Sequence, residues 1–147
     1  FSIQLHRALA FATRESTGGS IIKIDLDRFK TVNDTYGHAA GDSVLRTIAQ
    51  SLKYRVRETD AIGRLGGDEF AVLMPGISRD IAVKRLEGLN HDLNGRTLLW
   101  EGISIPIGAS LGLCHFGEGE DELSVLKRAD EAMYRVKFER NGEGLGR

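Results

Sequence analysis

Two strand-like runs, Ala61-Ile62-Gly63-Arg64-Leu65 and Asp68-Glu69-Phe70-Ala71-Val72-Leu73-Met74, are separated only by Gly66-Gly67. A link this short reads as a tight antiparallel hairpin, because primed turns need positive φ at their centre and glycine supplies it. Pro75-Gly76 ends the second strand. The hairpin needs neighbours to bury its apolar face, and Ser20-Ile21-Ile22-Lys23-Ile24-Asp25 reads as a buried strand that could lie beside it. A chain with an antiparallel hairpin at its middle and amphipathic segments on either side points to an α+β fold with one central sheet.

The helices are read from their apolar stripes. Leu5, Ala8, Leu9 and Ala12 share a face in residues 1–14, which Ser16-Thr17-Gly18-Gly19 then break. Asp27 to Tyr36 is a short helix or turn closed by Gly37. Val44, Leu45, Ile48, Leu52 and Val56 make the clearest stripe, over Ala39 to Arg57. Ala82, Leu86, Leu89 and Leu93 mark a helix over residues 78–94. Residues 96–105 read as a ribbon leading into a strand over Ile107 to Cys114, where Ile107, Ala109, Leu111 and Leu113 alternate. After an acidic loop at Glu118 to Asp121, Leu126, Ala129, Met133 and Val136 predict a last helix. The glycine-rich end, Asn141 to Gly146, reads as a frayed edge strand.

Length and composition narrow the classes. The 147 residues amount to one domain. Twenty Lys and Arg against 21 Asp and Glu give a net charge of −1, which argues against a strongly basic nucleic-acid module. No apolar run approaches the roughly 18 residues of a membrane span. A single cysteine, Cys114, has no intrachain partner and fits a reducing compartment. The 18 glycines exceed the usual share of about 7%.

Two places carry acids that propensity does not explain. Asp25-Leu26-Asp27 directly follows the buried strand, and Asp68-Glu69 sits just past the glycines. If the two strands are neighbours, Asp25 and Asp68 converge, and paired hard oxygen ligands suit Mg²⁺ with substrate phosphates. The bland alternative, solvated turn acids, is the commoner one on composition alone. Between them, residues 29–42 gather Lys30, Asn33, Asp34, His38 and Asp42. Asn offers both a donor and an acceptor to a purine edge, and an ionised Asp accepts two N–H donors such as guanine N1 and N2. Lys30 is a point charge for phosphate. Asp42 fits a helix N-cap equally well, and both roles can hold at once.

Taken together, Asp25-Leu26-Asp27-Arg28-Phe29-Lys30, Asn33-Asp34-Thr35-Tyr36-Gly37-His38, Gly41-Asp42 and Arg64-Leu65-Gly66-Gly67-Asp68-Glu69-Phe70 resemble the GGDEF family of diguanylate cyclases, bacterial signalling domains. The resemblance covers nearly the whole chain, with several motifs in the family's order and spacing. It implies a fold like the palm of nucleotidyl cyclases and polymerases, a central, mostly antiparallel sheet flanked by helices. It implies condensation of two GTP into cyclic di-GMP with loss of two pyrophosphates. By the same resemblance, Asp25, the carbonyl of Leu26 and Asp68 bind two Mg²⁺ or Mn²⁺. Asn33 and Asp42 read guanine, and Phe29 and His38 help hold the nucleotide. Lys30 stabilises the transition state, and Asp68, or a group bound to its metal, accepts the 3′-hydroxyl proton with Glu69 beside it. The attacking hydroxyl comes from a GTP on a second domain, so the active form is a two-fold homodimer. Arg57-x-x-Asp60, five residues before Gly66, matches the family's product-inhibition site.

Two departures accompany the match. The chain begins beyond the family's Asp-x-Leu-Thr-Gly-Leu-x-Asn-Arg segment, as a single domain taken from a larger protein would. Lys137-Phe138-Glu139-Arg140-Asn141 is one residue shorter than the family's Lys-x-x-x-Arg-Asn, which holds phosphates. Lys137 and Arg140 still share a helix face at i, i+3, where phosphate binding and a solvated cationic helix end are both open. The expected setting is the cytoplasm, with no nucleic acid and no membrane contact by this domain, although the full-length protein could be membrane-anchored. The alternative functions are a non-catalytic module sensing GTP or cyclic di-GMP, and a dimerisation domain in a larger regulator. Intact Asp25, Asp68 and Glu69 favour the enzyme. Asp42 argues against a cyclase making a mixed guanine–adenine product.

Overall fold

The structure is a computed structural model and describes residues 1–144. Eleven elements follow one another: α1 (Ser2–Glu15), β1 (Gly19–Leu26), α2 (Phe29–Tyr36), α3 (His38–Arg55), β2 (Ala61–Arg64), β3 (Glu69–Pro75), α4 (Arg79–Leu93), β4 (Arg96–Trp100), β5 (Ile103–Ile107), β6 (Ala109–Phe116) and α5 (Glu122–Gly144). Four strands make the central sheet in the order β2-β3-β1-β6, antiparallel at every junction. β4 and β5 form a separate two-stranded ribbon. This is the α+β, palm-like arrangement expected from the sequence.

Both faces of the sheet are covered, which is why β1 is a nearly continuous apolar run. Ile22, Ile24 and Leu26 on β1, with Phe70, Val72 and Met74 on β3, pack against α3 and α4. Ile21 on β1, with Ala71, Leu73, Cys114 and Phe116, packs against α1 and α5. Strand alternation therefore assigns Lys23 and Asp25 to the face under α5. At Gly112 on β6 an added Cβ would run into the backbone of Met133, so α5 lies directly on the sheet there.

Three local expectations are corrected. Gly66 and Gly67 do not lie at positive φ. The connection is a four-residue loop, Leu65 to Asp68, closed by the Leu65 N–H donating to the Glu69 carbonyl at 2.9 Å. A longer loop reverses the chain without the mirror-image torsions a two-residue link demands. Gly108, between β5 and β6, interrupts the strand expected over residues 107–114. Residues 141–144 continue α5 instead of forming an edge strand, since extending a helix adds one hydrogen bond per residue whereas a new strand needs a turn and a partner. Leu145 and Gly146 of that expectation lie outside the described residues.

Candidate functional site

Asp25 is the penultimate residue of β1, and the register sets it directly opposite Glu69 on β3 and Ser110 on β6. Backbone bonds fix the loop that carries Asp68 against it. The Leu26 N–H donates to the Asp68 carbonyl at 3.0 Å, and the Asp27 N–H donates to the Gly108 carbonyl at 2.8 Å. Arg64 closes over the glycines, its guanidinium donating to the carbonyls of Gly66 (3.2 Å) and Gly67 (2.9 Å). Asp25, the backbone of Leu26, Asp68 and Glu69 thus share one corner of the sheet, as the sequence suggested.

The electrostatics of that corner are strained. Burial pushes the Asp25 carboxyl above its usual range, Lys137 only partly offsets this, and the charges of Asp68 and Glu69 add to it. Lys137 Nζ reaches Asp25 Oδ2 at 3.1 Å, but Asp25 Oδ1 is buried without a hydrogen-bond partner among the described residues. A buried carboxylate oxygen left unpaired is costly, and a hard cation would satisfy it. Among the described residues, no group of three or more His, Cys, Asp or Glu side chains is gathered as a complete metal cage. A two-carboxylate corner with a nearby carbonyl fits Mg²⁺ or Mn²⁺, which draw their remaining ligands from water and phosphate.

Asp27 has a different role from its neighbour. It accepts from Ser110 Oγ at 2.8 Å and pairs with Arg140 at 2.9 Å. Arg140 also donates to Asn94 Oδ1 at 2.8 Å, and Asn94 brackets the backbone of Ala109. Lys137 and Arg140 are therefore anchored in ion pairs well inside α5, which overturns the reading of a solvated helix end.

The residues between β1 and α3 sit on one side of this corner. α2 begins after Arg28, which holds left-handed backbone at φ 56°, and Lys30 lies exposed in its first turn. Half-buried Asn33 lies across Gly41, where an added Cβ would collide with Asn33 Oδ1 and approach the Phe29 ring at 3.4 Å. The missing side chain at Gly41 leaves the space that the Asn33 amide occupies between α2 and α3. His38 opens α3 and is exposed. Asp42 is not an N-cap: α3 starts four residues earlier, with Gly37 at its N-cap position, and Asp42 is exposed. With Leu45, Arg46, Ala49, Arg64 and Phe70 it lines a cavity of about 280 Å³ beside the glycine loop.

Arg57 and Asp60 form a second, separate cluster. Asp60 accepts from the Arg57 backbone N–H (2.7 Å), twice from the Arg57 guanidinium (2.8 and 3.1 Å), and from Arg85 (2.7 Å). Its side chain has no solvent exposure. Burial works against ionisation, but the hydrogen bonds from Arg57 and Arg85 outweigh it and hold the carboxyl below its usual range. The cluster's stabilisation is therefore present at neutral pH and is lost as pH falls through that lowered value. Arg85 comes from α4, a long-range partner that the local spacing of Arg57-x-x-Asp60 could not reveal. The same holds for Lys23, whose partners Glu69 and Asp130 lie on β3 and α5.

Comparison with known proteins agrees with this geometry. The family model for the diguanylate cyclase GGDEF domain matches residues 1–143. The diguanylate cyclase DgcP of Pseudomonas aeruginosa is 39% identical over 128 residues, covering 86% of this chain and 19% of that protein. Diguanylate cyclase A of Treponema denticola is 37% identical over 119 residues, covering 80% and 32%. The crystal structure of the GGDEF domain of DgcB from Caulobacter crescentus in complex with c-di-GMP superposes with a TM-score of 0.89 at 32% identity, covering 97% of this chain and 84% of that one. The chain belongs to the diguanylate cyclase GGDEF domain family. It spans about a fifth to a third of the length of those two curated relatives.

Proposed function

We propose that this domain is a diguanylate cyclase, joining two GTP into cyclic di-GMP and releasing two pyrophosphates. The observation that carries the reading is the pairing of Asp25 with the Asp68-Glu69 corner, with one buried carboxylate oxygen of Asp25 left for a cation. Asp25, the Leu26 carbonyl and Asp68 would hold two Mg²⁺ or Mn²⁺ in each site. When bound, the metals stabilise charge on the entering and leaving oxygens of an in-line displacement.

The remaining work falls to side chains. Asp42 and Asn33 read the guanine edge, and Phe29 and His38 hold the nucleotide. Lys30 supplies positive charge to the phosphates in the transition state. Lys137 and Arg140, now on Asp25 and Asp27, are near enough to the same corner to take phosphate oxygens. Asp68 receives the proton of the attacking 3′-hydroxyl, with Glu69 beside it. A second GTP must face this one, so the active species is a two-fold homodimer and association of two domains controls turnover. Arg57 and Asp60 form a product site, where the guanidinium grips phosphate or a guanine edge. The relatives that carry diguanylate cyclase names support the reaction, and the c-di-GMP complex of the Caulobacter domain supports product binding. Incubation with GTP and Mg²⁺ followed by chromatography tests it: cyclic di-GMP is expected, and GTP binding without product would favour a sensing module.

A further inference from the structure

Lys23 is the one charged residue within the apolar run of β1 from Ile21 to Ile24. A charge placed there costs free energy unless it is paired. Its neighbours in the sheet are small, Ala71 on β3 and Gly112 on β6, so its stem rises between them beneath α5. The side chain is 13% exposed, and its ammonium lies 3.3 Å from Glu69 Oε1 and 3.1 Å from Asp130 Oδ1.

The position of Glu69 explains why this pairing matters. Glu69 faces Asp25 directly across β1 and β3, and like charges directly opposite one another destabilise a sheet. Lys23 is two residues back on the same face, diagonal to Glu69, and draws that carboxylate toward the middle of the sheet. Lys137 meanwhile covers Asp25 Oδ2. Each acid has its own lysine, and Asp130 ties the Lys23 pair to α5.

We propose that Lys23 is a positioning residue that holds Glu69 back from Asp25, so that Asp25 and Asp68 alone offer carboxylates to the cation and Glu69 stays in reserve beside them. The inference rests on the cyclase reading for its effect on turnover, but its effect on cation binding does not require turnover. Without the ammonium, the Glu69 carboxylate is free to swing toward Asp25 and join the cation site.

The test is titration of the nucleotide-free protein with Mn²⁺, followed by electron paramagnetic resonance of the free ion, with GTP kinetics in parallel. Lys23→Met is expected to bind Mn²⁺ roughly fivefold tighter, the effect of one partly exposed charge. Its kcat should fall about tenfold with KM for GTP little changed, a split expected when an interaction matters only in the transition state. Lys23→Arg should restore both values. In a Glu69→Gln background, Lys23→Met should change Mn²⁺ affinity less than about twofold, because the pair acts as a unit. Lys23→Gln keeps a donor at the half-buried position and serves as the second variant should Lys23→Met fail to fold. Unchanged Mn²⁺ affinity, no Mn²⁺ binding by the wild type, or a shift that persists in Glu69→Gln would overturn the proposal. The expected Mn²⁺ coupling in a protein that makes no cyclic di-GMP would support Lys23 while contradicting the cyclase reading. Turnover without the coupling would do the reverse.

Discussion

At the scale of single residues, the account turns on which carboxylates are committed and which are free. Asp27 is spent on Ser110 and Arg140, whereas Asp25 keeps a buried oxygen without a partner among the described residues. Asp25→Asn and Asp68→Asn should each lower cyclic di-GMP synthesis by roughly 10²-fold or more, in line with losing one charged contact to a transition state. Both should melt within a few degrees of wild type, and a well-folded Asp68→Asn protein with a near-normal rate would end the metal reading. Asp42 is exposed and free of any capping duty, so Asp42→Ser should leave stability within about 0.5 kcal/mol. The same change should reduce the preference for GTP over ATP by roughly 10²-fold, because a polar contact that rejects the wrong base would be gone. Competition assays with the two nucleotides measure it. Arg57 makes four hydrogen bonds, three to Asp60 and one to the Pro75 carbonyl. Arg57→Ala should weaken cyclic di-GMP binding about tenfold or more, as charge-assisted bonds disappear, while synthesis continues. Calorimetry with the GTP site filled by a non-hydrolysable analogue gives the answer, and equal binding by both proteins would make Arg57 a purely structural residue.

At the scale of elements, the loop between β2 and β3 shows how a motif can be right for a reason other than the first one offered. Gly66 and Gly67 are not demanded by backbone torsion, and a Cβ on Gly67 would meet nothing within 4 Å. Their lack of side chains instead leaves room for a ligand to approach the backbone beside Asp68. Gly67→Ala should therefore unfold at nearly the wild-type urea concentration, yet bind GTP at least several-fold more weakly. A large loss of stability with normal GTP affinity would return the glycines to a conformational role. The helix stripes were legible because burial of Leu45, Ile48 and Leu52 or of Ala129 and Met133 imposes a local period. Cross-element ties were not. Nothing near Asp60 in sequence marks Arg85 as its partner, and nothing near Asp25 marks Lys137. Such pairs depend on how α4 and α5 settle on the sheet, which periodicity does not encode. The capping alternative for Asp42 falls because α3 begins earlier than its local pattern suggests, at His38.

At the scale of the whole molecule, the three layers put a rigid sheet corner at the base of a site that α2, α3 and α5 surround. The corner acids come from β1 and the β2–β3 loop, the anchored cations from α5, and the groups proposed to read the base from α2 and α3. On the proposed function each such site would take one GTP, and a cyclic product with two phosphodiester bonds needs two. The specific rate should therefore rise with protein concentration until the dimer is saturated. The decisive measurement is chromatography of the nucleotides formed from GTP and Mg²⁺ at high protein concentration, with pyrophosphate assayed alongside. The account requires cyclic di-GMP and two pyrophosphates for each molecule of product. GTP recovered intact while bound to a folded, dimeric protein would contradict it.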